Sequence, residues 1–162
     1  MRDIVQVGGA DLVRHLAEAP IVVVGGTGVV GTHLVGLLRQ CGTPAPVAVA
    51  GRSEARARQL QAAYPGVGFV PVDLRGPAPF VLDARAVVAA VNDPEDRLLA
   101  ACVRGGVPYV DIARWTSRLQ QAVALSAVLG PRAPVVFSSG WMGGVVPRVA
   151  AALAFQVGGA DA

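Results

Sequence analysis

The stretch PIVVVGGTGVVGTHLVGLLR, residues 20–39, limits what this chain can fold into more than any other. Its β-branched run at 21–24 shows no polar alternation, as in a strand buried on both faces. It passes straight into glycines at 25, 26, 28 and 31, followed by residues at helical period. That order predicts a strand, a phosphate-sized turn and a helix. The spacing Gly26-x-Gly28-x-x-Gly31, with Thr27, Val29 and Val30 between, is that of a dinucleotide-binding turn. Gly26 is expected to allow the tight bend, Gly28 to let backbone approach a pyrophosphate, and Gly31 to let the helix pack closely on the strand. The anion would then rest on free N–H groups at the positive end of the helix. In a chain with 20 glycines the same pattern also describes a ligand-free turn of a compact αβ unit. The strand before it and the helix after it favour the ligand.

The remaining chain keeps alternating. Further strands are expected at 47–50, from 67, and at 86–91, 107–112 and 135–137. Helices are expected at 32–39, up to Tyr64-Pro65-Gly66, at 95–104 and at 114–129. This predicts a doubly wound, mostly parallel α/β sheet of about six strands with helices on both faces, a Rossmann-like fold. Residues 1–19 are expected to form a helical extension, amphipathic over 10–18, ahead of a nucleotide domain at 20–140. Residues 141–162 are expected to be an apolar helix, with Arg148 the only charge between 145 and 157. A helix apolar on most faces needs cover, from a second copy in a homodimer, a partner chain or a further domain. The chain shows no signal-peptide pattern and no apolar window of about 20 residues, so a cytoplasmic protein with no membrane contact is expected.

The end of the second strand carries the next piece of chemistry. A site for NAD places an acid about 20 residues beyond the glycines, on the ribose 2′-hydroxyl. This chain has Gly51-Arg52-Ser53 instead. Arg52 suits a 2′-phosphate, which an acid would repel, so NADP is expected in preference to NAD. Ser53 is placed to cap the next helix and to donate to the same phosphate. Arg56 adds charge nearby, while Arg58 is expected to face water and Glu54 to complement the helix dipole. Asp73, at the end of the third strand, can bind the adenine amino group or cap a turn. Asn92, at the end of the fourth, can reach the ribose or nicotinamide, or serve with Asp93 and Pro94 as turn and helix-start residues, with Asp96 then in the first turn. His33 either touches the diphosphate or is a half-exposed helix residue.

The net charge of +3 comes from 14 basic residues spread along the chain, which argues against nucleic acid as a partner. All 14 are arginine. Without lysine there is no Schiff base, no P-loop amine and no Tyr-x-x-x-Lys pair, and a guanidinium does not release a proton near neutrality. Cys41 and Cys102 have no metal-ligand spacing and are expected to be small buried apolar residues in a reducing compartment. No metal site is expected. Tyr64 and Tyr109 lack a base partner in sequence, and Asp111 either orients a substrate or is a capping or buried hydrogen-bonding acid. Trp141 and Met142, in a glycine-rich turn, cover a cofactor ring or fill an interface. No set of residues forms a visible proton-transfer centre, so the catalytic residues stay unassigned.

Taken together, GGTGVVG at 25–31, Gly51-Arg52-Ser53, AVVAAVND from 86, LLAACVRGGVPYVDIA from 98 and FSSGWMGGVVPRVA from 137 resemble the NADP-binding domain of the saccharopine dehydrogenase-like family. The resemblance covers about residues 20–150. It implies an NAD(P)-linked oxidoreductase acting on a small amino, imino or carbonyl substrate. Gly26, Gly28, Gly31, Arg52 and Ser53 would hold the nucleotide, with Asn92 and Asp111 nearer the reacting end. Enzymes of that family carry a second αβ domain that shapes the substrate pocket. Two other readings fit the residues: a stand-alone NADP-binding sensor or regulatory module, and a nucleotide-free association scaffold.

Overall fold

Three consecutive valines, 22–24, can all leave water only in a strand covered from above and below. In the computed structural model, which describes residues 19–76 and 83–138, they do so in β1 (Ile21–Val24). The chain continues through α1 (Val29–Gln40), β2 (Val47–Gly51), α2 (Glu54–Ala63), β3 (Gly68–Pro71), β4 (Ala86–Ala89), α3 (Arg97–Gly105), β5 (Tyr109–Asp111), a 3₁₀ turn (Thr116–Arg118), α4 (Leu119–Leu129) and β6 (Val135–Phe137). All strands are parallel, in the order β3-β2-β1-β4-β5-β6. The fold is therefore the doubly wound α/β sheet expected from the alternation. The expected N-terminal helix, Trp141, Met142 and the C-terminal apolar helix lie outside the described residues.

Alternate side chains along each strand feed two cores. Val23, Val47 and Val49 pack with Val35 of α1 and with Ala57 and Leu60 of α2. Val22, Val24, Ala48, Ala50, Val87 and Ala89 face the other way, onto α3 and Ala122 of α4. Leu98 and Leu99 are fully buried there, each contributing roughly 1.5–3 kcal/mol. Tyr109 is fully buried in the same core, its ring edge-on to Phe137 at 6.4 Å between centroids.

Several expected boundaries move: β5, expected at 107–112, is confined to Tyr109–Asp111, α1 starts at Val29 rather than 32, and three others shift for a clear local reason. The helix expected at 95–104 starts at Arg97, because residues 93–96 first make a turn in which the Asp96 N–H donates to Asp93 O. Asp96 sits at the N-cap with φ 55°, a left-handed backbone rare outside glycine. The helix expected from Arg114 starts at Leu119, because Arg114 turns inward to two acids. β4 stops at Ala89, two residues short of expectation, leaving Ala90 and Val91 beside the glycine turn. One side-chain expectation also fails. Cys102 is buried, but Cys41, the residue that ends α1, is exposed.

Candidate functional site

The sheet reverses its winding between β1 and β4, and a crevice opens at the carboxyl ends of the strands on either side of such a point. The β1–α1 corner forms its floor. Here the glycines divide the work differently from the sequence expectation. The tight bend falls on Gly25, whose φ is +78° and where a Cβ would also strike Val91 and Ala90 O. Gly26 is required for space, since a Cβ there would lie 2.4 Å from Val49 Cγ1 and 2.8 Å from Val23 O. Gly31 brings α1 against the turn, with Gly26 Cα 2.6 Å from where its Cβ would be.

Gly28 is different. A Cβ on it would meet only Gly25 O, at 3.2 Å, and otherwise project into open space. Gly28 is also the N-cap of α1, with no side chain capping that helix. The first intrahelical bond runs from Thr32 N–H to Gly28 O at 2.9 Å, so the N–H groups of Val29, Val30 and Gly31 come before it, at the positive helix end. No acid occupies the first turn to compete for them. The open side of Gly28 leaves room for an anion beside N–H donors of the kind that helix starts offer to diphosphates.

From this corner a cleft of about 290 Å³ runs toward β2 and β3. It brings together Thr27, Gly28, Arg52, Asp73 and Asn92 of the residues singled out in the sequence. Gly26 and Gly31 are buried behind it, and the side chains of Val29 and Val30 point to solvent. Ser53 does not line it. Its hydroxyl oxygen accepts the Arg56 N–H at 3.3 Å, capping α2 as expected. Arg56 lines the cleft, whereas Arg58 faces water and pairs with Glu54 at 2.8 Å. Asp73 borders the cleft but spends one oxygen on its own turn, accepting the Arg75 N–H at 3.0 Å. His33 is exposed, with Nδ1 2.8 Å from Val29 O, as a helix residue rather than a cleft residue.

On the other side of the switch point, at the ends of β4 and β5, lies a cluster that the sequence alone does not assemble. Asp111 is 2% exposed, so it orients no substrate from the surface. Its Oδ2 accepts from Tyr109 Oη and from Arg114 Nε, both at 2.9 Å, and its Oδ1 accepts the Ala113 N–H at 3.1 Å. Arg114 also donates through Nη1 to Asp96 Oδ1, and Arg118 Nη2 reaches Asp96 Oδ2 at 3.3 Å. Burial alone would lower the pKa of Arg114. The hydrogen bond to Asp96 and the charges of Asp111 and Asp96 outweigh it and hold the guanidinium protonated. Burial raises the Tyr109 phenol well above its usual range, helped by the Asp111 charge.

Asp93 anchors the same loop. Its Oδ2 accepts the Leu98 N–H at 2.7 Å, while its other oxygen is buried without a partner. Desolvation raises its pKa, and the nearby Asp96 charge adds to this against the bonds from the Leu98 and Arg97 N–H groups. The sequence signal for this cluster is an acid after each of two neighbouring strands, with an arginine three residues beyond the second. Among the described residues no group of three His, Cys, Asp or Glu side chains could hold a metal ion, and no helix is long and apolar enough to cross a membrane.

Compared with known proteins, the sequence matches no protein-family model and no curated protein. The functional reading therefore rests on the site itself.

Proposed function

We propose that this chain binds NADP(H) and serves as the cofactor domain of an oxidoreductase like those of the saccharopine dehydrogenase-like family, acting on a small amino, imino or carbonyl substrate. The observation that carries the reading is the continuity of one cleft from the open side of Gly28 to the guanidinium of Arg52. The N–H groups of Val29, Val30 and Gly31 would hold the diphosphate, Arg52 the 2′-phosphate and Asp73 the adenine amino group. Asn92, across the switch point, would face the nicotinamide riboside. The bound nicotinamide supplies hydride transfer, and the chain's own task is to fix its position.

The test is titration calorimetry of the full chain with NADPH and NADH at low ionic strength. Tighter binding of NADPH than of NADH is the expected result. No heat with either, at millimolar dinucleotide, ends the reading and leaves the nucleotide-free scaffold.

A second reading, an NADP-binding sensor without turnover, is favoured by one feature of the cleft. Among the described residues its lining includes no His, Tyr, Cys or Glu, and Asp73 is its one acid. Steady oxidation of NADPH by the isolated chain with imino acids or aldehydes would exclude it.

A further inference from the structure

Arg75 lies in the turn after the edge strand β3, on a different strand from Arg52, yet it lines the same cleft. The two strand ends are held side by side, Gly51 paired in register with Pro71 and the Val72 N–H donating to Gly51 O at 3.0 Å. We propose that Arg75 is a second specificity residue of this site, forming with Arg52 a cationic seat for a phosphate monoester on the nucleotide ribose, and that Arg97 positions it. The inference rests on the NADP(H) reading and adds to it a residue and its support.

The turn carrying Arg75 is braced from two directions. From within, Asp73 accepts the Arg75 N–H through its carboxylate and the Gly76 N–H through its carbonyl, at 3.0 and 3.1 Å. From outside, Arg97 Nη1, at the start of α3, donates to Leu74 O at 3.1 Å and to Gly76 O. A side chain at the centre of so many backbone bonds starts from a fixed point, which lowers the entropy lost on clamping a ligand.

Charge gives the second argument. The guanidinium groups of Arg52, Arg56 and Arg75 make no ion pair or hydrogen bond among the described residues, whereas those of Arg58, Arg114 and Arg118 are all paired. With Asp73 the one acid in the lining among the described residues, Arg52, Arg56 and Arg75 leave two positive charges there uncompensated. A phosphate monoester carries about −1.5 to −2 at neutral pH, which matches them. The same chemistry is offered by a 2′-phosphate, a 3′-phosphate or free phosphate, and these are separable by experiment.

The full chain, its Arg75→Gln variant, its Arg97→Met variant and the double variant are titrated with NADPH, NADH, 2′,5′-ADP, 3′,5′-ADP and inorganic phosphate. Arg75→Gln should weaken NADPH and 2′,5′-ADP by about tenfold and leave NADH within about twofold. Arg97→Met should cause a similar selective loss that disappears in the Arg75→Gln background, as expected of a residue acting through another. Binding of 3′,5′-ADP or phosphate as tight as that of 2′,5′-ADP overturns the ribose assignment. An unchanged NADPH:NADH ratio in Arg75→Gln overturns the role of Arg75 while leaving the cofactor reading intact. Additive losses in the double variant overturn the role of Arg97. Wild-type protein that binds neither dinucleotide overturns the cofactor reading itself.

Discussion

Arg114 Nε donates to Asp111 Oδ2 at 2.9 Å, and each side chain is only 3% exposed. Because Arg114 also holds Asp96, one guanidinium ties the loop after β4 to the loop after β5, on the far side of the sheet's switch point from β2. The Phe137 ring, 5.5 Å from the guanidinium carbon, closes the pocket from β6. Removing one member of a buried ion pair is far worse than never having had the pair, since the partner charge stays buried. Arg114→Met should therefore lower the unfolding free energy by about 3 to 5 kcal/mol in urea titration. Arg118 would still serve Asp96, but Asp111 would keep only Tyr109 and the Ala113 N–H. A loss below about 1 kcal/mol would mean that the acids do not carry charge in the folded state.

Asp93 should leave a mark on the pH dependence of stability. Burial raises its folded-state pKa above the ordinary 3.8, so folding takes up a proton between those values. The stability this contributes is complete below 3.8 and is lost as pH rises through the raised pKa. Asp93→Asn keeps an acceptor for the Leu98 N–H and removes the buried charge. Its stability at pH 7 should equal or exceed that of the wild type, with a flatter profile in the acid limb of thermal melts. A loss of more than about 2 kcal/mol at pH 7 would show the carboxylate charge itself to be needed.

These two groups show where sequence reading stops. β1, its turn and α1 are legible because their information is local: an unbroken β-branched run, glycines at fixed offsets, then helical period. The parallel sheet follows from alternation and short connections, whereas the order of its strands does not, since more than one doubly wound order obeys the same rules. Arg52 at the cleft and Ser53 as a helix cap are legible because they directly follow a strand end, whereas the expected place of Ser53 in the cleft is not met. The Arg114 cluster is not, because Asp96, Asp111 and Arg118 are brought to it by two strands and a left-handed residue at 96, and a charged residue near a helix start ordinarily reads as solvated. Arg75 escaped for a similar reason, since nothing in PVDLRG distinguishes a loop arginine from one that a neighbouring strand turns into a cleft. Even the glycines were legible as a set rather than singly: the positive φ belongs to Gly25, one residue before the motif begins.

That division among the glycines separates folding from binding. Gly26→Ala forces a methyl group into Val49 and Val23 O, so it should destabilise by about 1 to 3 kcal/mol or more. Gly28→Ala meets only Gly25 O at 3.2 Å and should change stability by less than about 1 kcal/mol. Its methyl group would instead stand in the proposed diphosphate position and weaken NADPH and NADH alike. Thermal melts beside calorimetry check both. Full NADPH affinity in Gly28→Ala would move the anion away from the helix start.

Cofactor preference is a separate matter. Arg52→Asp places a negative charge where the reading puts a 2′-phosphate, and it leaves the glycine corner untouched. NADPH affinity should fall at least about tenfold, with NADH level or improved, and the difference should shrink at high salt. Equal loss for both dinucleotides would assign Arg52 to the fold.

The two thiols should differ sharply in reactivity. Cys41 ends α1 in contact with water, while Cys102 is 2% exposed against the sheet and burial pushes its thiol up to about 12, the Asp93 charge adding to the effect. At pH 8 roughly one Cys102 in ten thousand would be thiolate, even given access. An aromatic disulfide reagent should therefore titrate one thiol per chain within minutes under native conditions, and the second only in denaturant. Because Cys102 sits among Leu98, Leu99 and Val103 on α3, its slow native-state labelling measures how often α3 lifts from the sheet. Arg114→Met, which cuts the tie between that helix start and β5, should speed it. Labelling of Cys102 as fast as Cys41 in the wild type would mean that α3 does not hold its place.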